Sequence, residues 1–262
     1  MTATSAWMVA AASLLERVAS TQGDAIEEAS QWSADAIAAD GLVHLFGTGH
    51  SRIPAEEMFP RYGSYPGWNP MIELSMTFHT QVVGSNGQRQ AMAIERTPGL
   101  AEVILSNFQF GSSDVLFVFS AGGTTAVPVE MARGGRQRGL RVVGVTSVAG
   151  SLAAPVEAGV GSRLLDEVDL VIDLCTPEAD ALVDVEGLDT PVGPGSTFAA
   201  VAIVNAIKVR TAELLTARGA MPPVITRASV VGEERSRTLF DEAYREHARR
   251  IAGVLDQRRG GE

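Results

Sequence analysis

Apolar and polar positions follow two different rhythms along this chain. Val115 to Phe119 is an unbroken apolar run of branched and aromatic residues, which predicts a short strand buried on both faces inside a parallel sheet. Leu42–Phe46, Met71–Met76, Arg141–Val145 and Leu170–Leu174 predict four more strands. Between them the spacing turns helical. Residues 4–39 carry two helical patterns broken at Gln22, Gly23 and Asp24, and Ile26, Ala29, Ser33, Ala36 and Ile37 form one stripe on the second. Further helices are predicted over Pro98–Phe108, from the loop after Phe119 to about Arg138, and over a strongly apolar stretch from Ser196 to Ala217. From Glu233 onward a charged helix carries Leu239, Tyr244, Ile251 and Leu255 as a packing stripe. Strands alternating with helices predict the α/β class in one domain over residues 1–262. Composition marks residues 60–70 as a loop, 77–96 as a polar excursion able to close over a ligand, and 176–194 as an acidic, turn-rich stretch.

The loops leaving two of these strands are chemically specific. The Val115–Phe119 strand runs into Ser120, Ala121, Gly122, Gly123, Thr124 and Thr125, and the first strand into Gly47, Thr48, Gly49, His50 and Ser51. Glycines and hydroxyls between a buried strand and a helix start suit an anion, because unpaired backbone N–H groups and the helix dipole point at it. No Lys follows either loop and no G-x-G-x-x-G is present, so neither known nucleotide fingerprint applies. Pro194-Gly195-Ser196-Thr197 is a third polar loop at a helix start. In open parallel sheets ligands bind at the carboxyl ends of the strands, where such loops face one site. The residues expected to hold a phosphate are Gly49, Ser51, Ser120, Gly122, Gly123, Thr125, Ser196 and Thr197.

Composition narrows the partner. A hydrophobic content of 45% supplies a real core, and a net charge of −10 disfavours nucleic acid and anionic membranes, leaving a small molecule. One cysteine, Cys175, excludes a disulfide framework and fits a reducing compartment. The apolar run Ala6–Leu15 has no basic segment before it and leads into Glu16 and Arg17, against a signal peptide or membrane span. The expectation is a soluble, cytoplasmic protein.

With Gly47-Thr48-Gly49-His50-Ser51, Ser120-Ala121-Gly122-Gly123-Thr124-Thr125 and Val142-Val143-Gly144-Val145-Thr146-Ser147 at strand ends, the chain resembles the sugar isomerase (SIS) domain family over residues 40–215. Ile94-Glu95-Arg96-Thr97-Pro98-Gly99-Leu100 adds a likeness to a single-domain subgroup of it. The resemblance implies a flavodoxin-like parallel sheet of about five strands sandwiched by helices, a phosphorylated sugar as ligand, and a homodimer or higher homo-oligomer with its site at the interface. The family's second loop usually reads S-x-S-G-x-T. Here Gly122 stands where the second serine belongs, which removes one hydroxyl from the cradle.

Isomerisation and β-elimination of phosphosugars both begin with loss of the proton at C2, which needs a base, an oxyanion donor and often a second acid or base to open the ring. Neither demands a metal or cofactor, and none is expected. Glu56 and Glu57 follow the first loop in a segment that resembles the place of a catalytic Glu in some phosphoheptose isomerases. Glu73 lies in an apolar stretch where a carboxylate is costly unless paired or used, a position comparable to the base of the family's amino-sugar isomerases. His50, within the first loop, and His79, in the polar excursion, are candidates to open the ring. His44, inside a strand, is expected to be a satisfied core residue, and His247 to be solvent-facing or at an interface. These residues suit an isomerase or a lyase acting on a hexose or amino-sugar 6-phosphate. The competing reading is a sensor of a phosphosugar that regulates something else, but residues 1–40 offer no basic recognition helix.

Overall fold

The computed structural model describes residues 2–77 and 87–255. Its main sheet has five parallel strands, β1 (Val43–Gly47), β2 (Trp68–Met71), β3 (Val115–Phe119), β4 (Arg141–Thr146) and β5 (Leu170–Asp173), in the order β2-β1-β3-β4-β5. This is the flavodoxin-like order, in which the strand order reverses between β1 and β3. β1 and β3 run in register from Val43↔Val115 to Gly47↔Phe119. Their carboxyl ends are therefore level, and the two glycine-hydroxyl loops leave the sheet side by side.

Residues of β3 alternate between two cores, as a strand covered on both faces must. Val115, Phe117 and Phe119 pack under helices Ala3–Thr21, Gly23–Ala38 and Ser196–Ala217, while Leu116 and Val118 face Leu100–Leu105 and Ala126–Gln137. The long apolar helix spans Ser196–Ala217 as its periodicity predicts, and the N-terminal pair breaks at Gln22. Helix Glu233–Leu255 closes the described chain, anchored by the buried Arg250, whose guanidinium donates to the carbonyls of Ile37 at 3.1 Å and Gly41 at 2.7 Å.

Three expectations shift. The second strand lies at Trp68–Met71, mostly inside the stretch read as a loop and meeting the predicted strand only at Met71, and Leu74–Met76 is a turn of 3₁₀ helix. β2 pairs only with β1, so Pro70 sits on a sheet edge where its missing N–H costs no ladder bond. Within the polar excursion Gly87–Ile94 is a helix, and residues 78–86 lie outside the described part. The acidic stretch before Ser196 contains a small antiparallel pair, β6 (Ala181–Val183) and β7 (Val192–Pro194).

His44 is the satisfied core residue its position in β1 suggests. Its Nε2 donates to Asp114 Oδ2 at 3.0 Å and its Nδ1 accepts from Asn69 Nδ2 at 2.9 Å. Asp114 also accepts from the Leu42 and Gly111 N–H groups, each at 2.8 Å. Burial alone pushes the Asp114 carboxyl up, but the hydrogen bond from His44 together with those two N–H groups outweighs it, and the net is a pKa below the usual carboxylate value. His247 is half-buried rather than solvent-facing, its ring centroid 4.6 Å from that of Phe59, and burial lowers its pKa. No described helix is long and apolar enough to cross a membrane.

Candidate functional site

A cavity of about 570 Å³ opens above the carboxyl ends of β1 and β3, within the size range of small-molecule sites. Its floor is made by the two loops. After β1 the chain enters a turn of 3₁₀ helix, Gly49–Arg52, and the short helix Ile53–Met58, with Pro54 in its first turn. After β3 it turns through Ser120–Thr125 into Ala126–Gln137. The loops are stitched together: Ser51 Oγ accepts from the Ala121 N–H at 3.4 Å, and the Ala121 carbonyl accepts from the Ser147 N–H at 3.0 Å.

Within the second loop the two glycines differ. Gly123 has φ 59°, and a Cβ there would lie 2.8 Å from Thr146 Oγ1 and 3.2 Å from Ser151 Oγ. Gly122 has neither constraint, and a Cβ there would meet nothing within 4 Å. Ser120 Oγ accepts from the Gly123 N–H at 3.2 Å, folding the loop on itself. Thr125 stands at the N-cap of the following helix in an extended conformation, yet its hydroxyl makes no capping bond.

The walls come from opposite faces of the sheet. On one side Gln88, Met92, Glu95 and Arg96 reach in from the Gly87–Ile94 helix and its end; on the other stand Ser196, Thr197 and Ala200 from the Ser196–Ala217 helix, with Asp180 beside them. Glu95 accepts from Thr48 Oγ1 at 2.6 Å, and its carbonyl accepts from the Val127 N–H at 2.9 Å. Burial pushes the Glu95 carboxyl above the usual value, with the Thr48 bond and the Arg96 charge opposing. Arg96 Nε donates to Glu157 Oε1 at 2.6 Å, and both side chains line the cavity. Asp180 accepts from the Ser196 N–H at 2.8 Å and from Ser196 Oγ at 2.7 Å.

Of the residues singled out in the sequence, Gly49, His50, Ser51, Ser120, Gly122, Gly123, Thr125, Ser196 and Thr197 share this cavity. Glu56 and Glu57 do not line it. They face a separate depression of about 390 Å³ with Ile53, Arg61, Tyr62 and Arg227. There Glu57 pairs with Arg61 and accepts from Asn205 Nδ2 at 2.9 Å, while Lys208 Nζ donates to the Glu57 carbonyl at 2.8 Å. Burial pushes the Lys208 ammonium down to about 8, against the Glu57 charge. Glu73 is half-buried at the start of the Leu74–Met76 turn, outside the cavity lining. His79 lies outside the described residues. Sequence reasoning passed over Thr48, Glu95, Glu157 and Asp180. The available signal for Glu95 was its place just before Arg96-Thr97-Pro98-Gly99, where a helix must end.

Known proteins share this architecture. A phosphoheptose isomerase from Francisella tularensis superimposes with a TM-score of 0.50 at 12% identity, over 81% of this chain and 100% of that one, a likeness of fold. A UPF0309 protein of Streptomyces coelicolor is 32% identical over 239 residues, 90% of this chain and 93% of that protein. Another, from Geobacillus kaustophilus, is 30% identical over 232 residues, covering 88% and 90%. The family model described as the SIS domain matches residues 6–147, more than half of the 262 residues, and the chain belongs to that family.

Proposed function

We propose that this protein is an enzyme that moves the C2 proton of a hexose or amino-sugar 6-phosphate, as an aldose–ketose isomerase or as a lyase. The observation that supports it most is one cavity holding both the Ser120–Thr125 loop and the half-buried Glu95. Membership of the SIS family and the fold shared with a phosphoheptose isomerase supply the phosphosugar context.

In this reading the phosphate lies on the second loop. The Gly123 N–H is held by Ser120 Oγ and the Val127 N–H by the Glu95 carbonyl, and Pro128 has none. The Ser120 and Ala121 N–H groups are likewise taken by the Val145 carbonyl and Ser51 Oγ, so the donors offered to the phosphate come from the Gly122, Thr124 and Thr125 N–H groups and from the Thr124 and Thr125 hydroxyls. The sugar then extends toward Glu95. A carboxylate whose pKa burial has raised is, in its ionised form, a stronger proton acceptor than an ordinary one. Thr48 keeps its bond to Glu95 and orients the other oxygen toward C2. His50, exposed at the rim of the same cavity, serves as the group that opens the ring. Glu56, Glu57 and Glu73 are left with structural roles.

The test is direct. The protein is incubated with glucose, glucosamine and N-acetylglucosamine 6-phosphates in deuterated water, and the C2 proton is followed by NMR. Exchange with a new ketose identifies an isomerase, and exchange with an unsaturated product a lyase. A sugar phosphate that raises the melting temperature while its C2 proton never exchanges overturns the enzyme reading in favour of the sensor.

A further inference from the structure

Among the described residues, the helices Ala126–Gln137 and Ser196–Ala217 both begin at the wall of this cavity. Each start is a natural place for a ligand anion. They are not equivalent, because the second already holds an anion supplied by the chain. Asp180 comes from the turn before β6, fifteen residues ahead of Gly195. Its Oδ1 accepts from the Gly195 N–H at 3.3 Å and the Ser196 N–H at 2.8 Å, and its Oδ2 accepts from Ser196 Oγ at 2.7 Å. The backbone is committed to this arrangement: Asp180 has φ 63°, a left-handed conformation uncommon outside glycine, and the Gly195 N–H also donates to the Asp180 carbonyl at 3.0 Å.

This arrangement acts on a ligand in two ways. The Ser196 hydroxyl gives its only proton to Asp180, so toward the cavity it offers lone pairs. The carboxylate supplies further lone pairs and a negative charge in a half-buried position. This wall accepts hydrogen bonds and repels anions, whereas the floor at Ser120–Thr125 donates them. The asymmetry gives the cavity a polarity, with a phosphate end and an end for hydroxyl or ammonium groups.

We propose that Asp180 is a specificity-determining residue that confines the site to sugar monophosphates whose far end carries hydroxyl or amino groups, and excludes phosphosugars bearing a second anionic group. This inference rests on the reading that the Ser120–Thr125 loop holds the phosphate. It also assigns the Ser196 hydroxyl to the orientation of Asp180, leaving the phosphate to the other loop.

The experiment compares glucose 6-phosphate with glucose 1,6-bisphosphate by calorimetry, on the wild-type protein and on Asp180→Asn. Asn tolerates the left-handed backbone and caps a helix start, so it removes the charge and keeps the shape. The wild type is expected to bind the monophosphate more tightly than the bisphosphate by roughly tenfold or more, the scale of a like-charge contact at intermediate dielectric. In Asp180→Asn that preference should fall by about the same factor. Asp180→Gly, equally compatible with the positive φ, is the second variant should thermal unfolding show the Asn protein to be misfolded. Equal binding of the two sugars by the wild type, or a preference unchanged in a folded charge-neutral variant, overturns the role of Asp180 alone. If the wild type binds neither sugar nor inorganic phosphate, the phosphate reading falls and this proposal with it.

Discussion

Replacing Gly122 by Ser would return to the second loop the hydroxyl that the family pattern places there, and the structure says what this should do. A Cβ at Gly122 meets nothing within 4 Å and the residue does not have a left-handed φ, so the side chain enters without strain. Gly122 lines the cavity, so with a phosphate on this loop, as proposed, the new hydroxyl has the ligand as its neighbour. A hydrogen bond to a charged group contributes about 1.5–3 kcal/mol net, and ordering one small rotor offsets several tenths of that. A gain of about 1–2 kcal/mol remains, or roughly five- to thirtyfold tighter binding. Calorimetry with a hexosamine 6-phosphate, the parent hexosamine and inorganic phosphate checks it: the gain should attend both phosphate compounds and be absent for the parent sugar. The neighbouring Gly123→Ser is the control. Its Cβ would crowd Thr146 Oγ1 at 2.8 Å in a left-handed backbone, so it should distort the loop and weaken binding. No gain for any phosphate compound on Gly122→Ser, with the fold intact, would refute the placement of the phosphate on this loop.

The same geometry sets other outcomes. Glu95→Gln should lower kcat by a factor of about 10² to 10⁴ and leave phosphosugar affinity nearly unchanged, because the amide keeps the shape and loses the basicity; a kcat within threefold of wild type removes Glu95 as the base. In the wild type the acid limb of the kcat profile should lie above the ordinary carboxylate range, since the base must be ionised and burial raises the Glu95 pKa. Asp114→Asn should cost about 1–3 kcal/mol of stability at neutral pH, because an amide cannot accept from His44, Leu42 and Gly111 together. The Asp114 pKa is lower folded than its ordinary 3.8, so the carboxylate's contribution is whole above that value and lost as pH falls through the lower folded one. The gap between wild type and variant in denaturant melts should therefore close in strong acid, and a gap that persists there contradicts the assignment. The Ser196–Ala217 helix is apolar nearly all round, yet Val209 on it is 69% exposed in the single chain. A homodimer covering that face is expected, and sedimentation at micromolar concentration giving 27.6 kDa would exclude it.

The features legible in the sequence were local ones. β3 could be read as a strand because five consecutive apolar residues suit no other element between polar turns, and its Ser120–Thr125 loop because glycines and hydroxyls act through their own backbone. β2 was hidden because Trp68-Asn69-Pro70 has the composition of a loop and becomes a strand only by pairing with β1. The carboxylates show the limit more sharply. Glu56 and Glu57 follow the first loop at the right spacing, but the direction of a helix is set by what it packs on. Asn205 and Lys208 of the Ser196–Ala217 helix hold Glu57 on a different surface. Glu95 sits in a polar stretch that predicts exposure, and it is half-buried where Thr48 and the Val127 N–H, from two other elements, donate to its side chain and its carbonyl. Asp180 reaches a helix start across an intervening strand pair. An anion-binding loop carries its chemistry in its own few residues, so sequence alone can point to it. A proton-transfer carboxylate acquires its pKa from groups distant in the chain, so the base of such a site becomes visible only once the chain is folded.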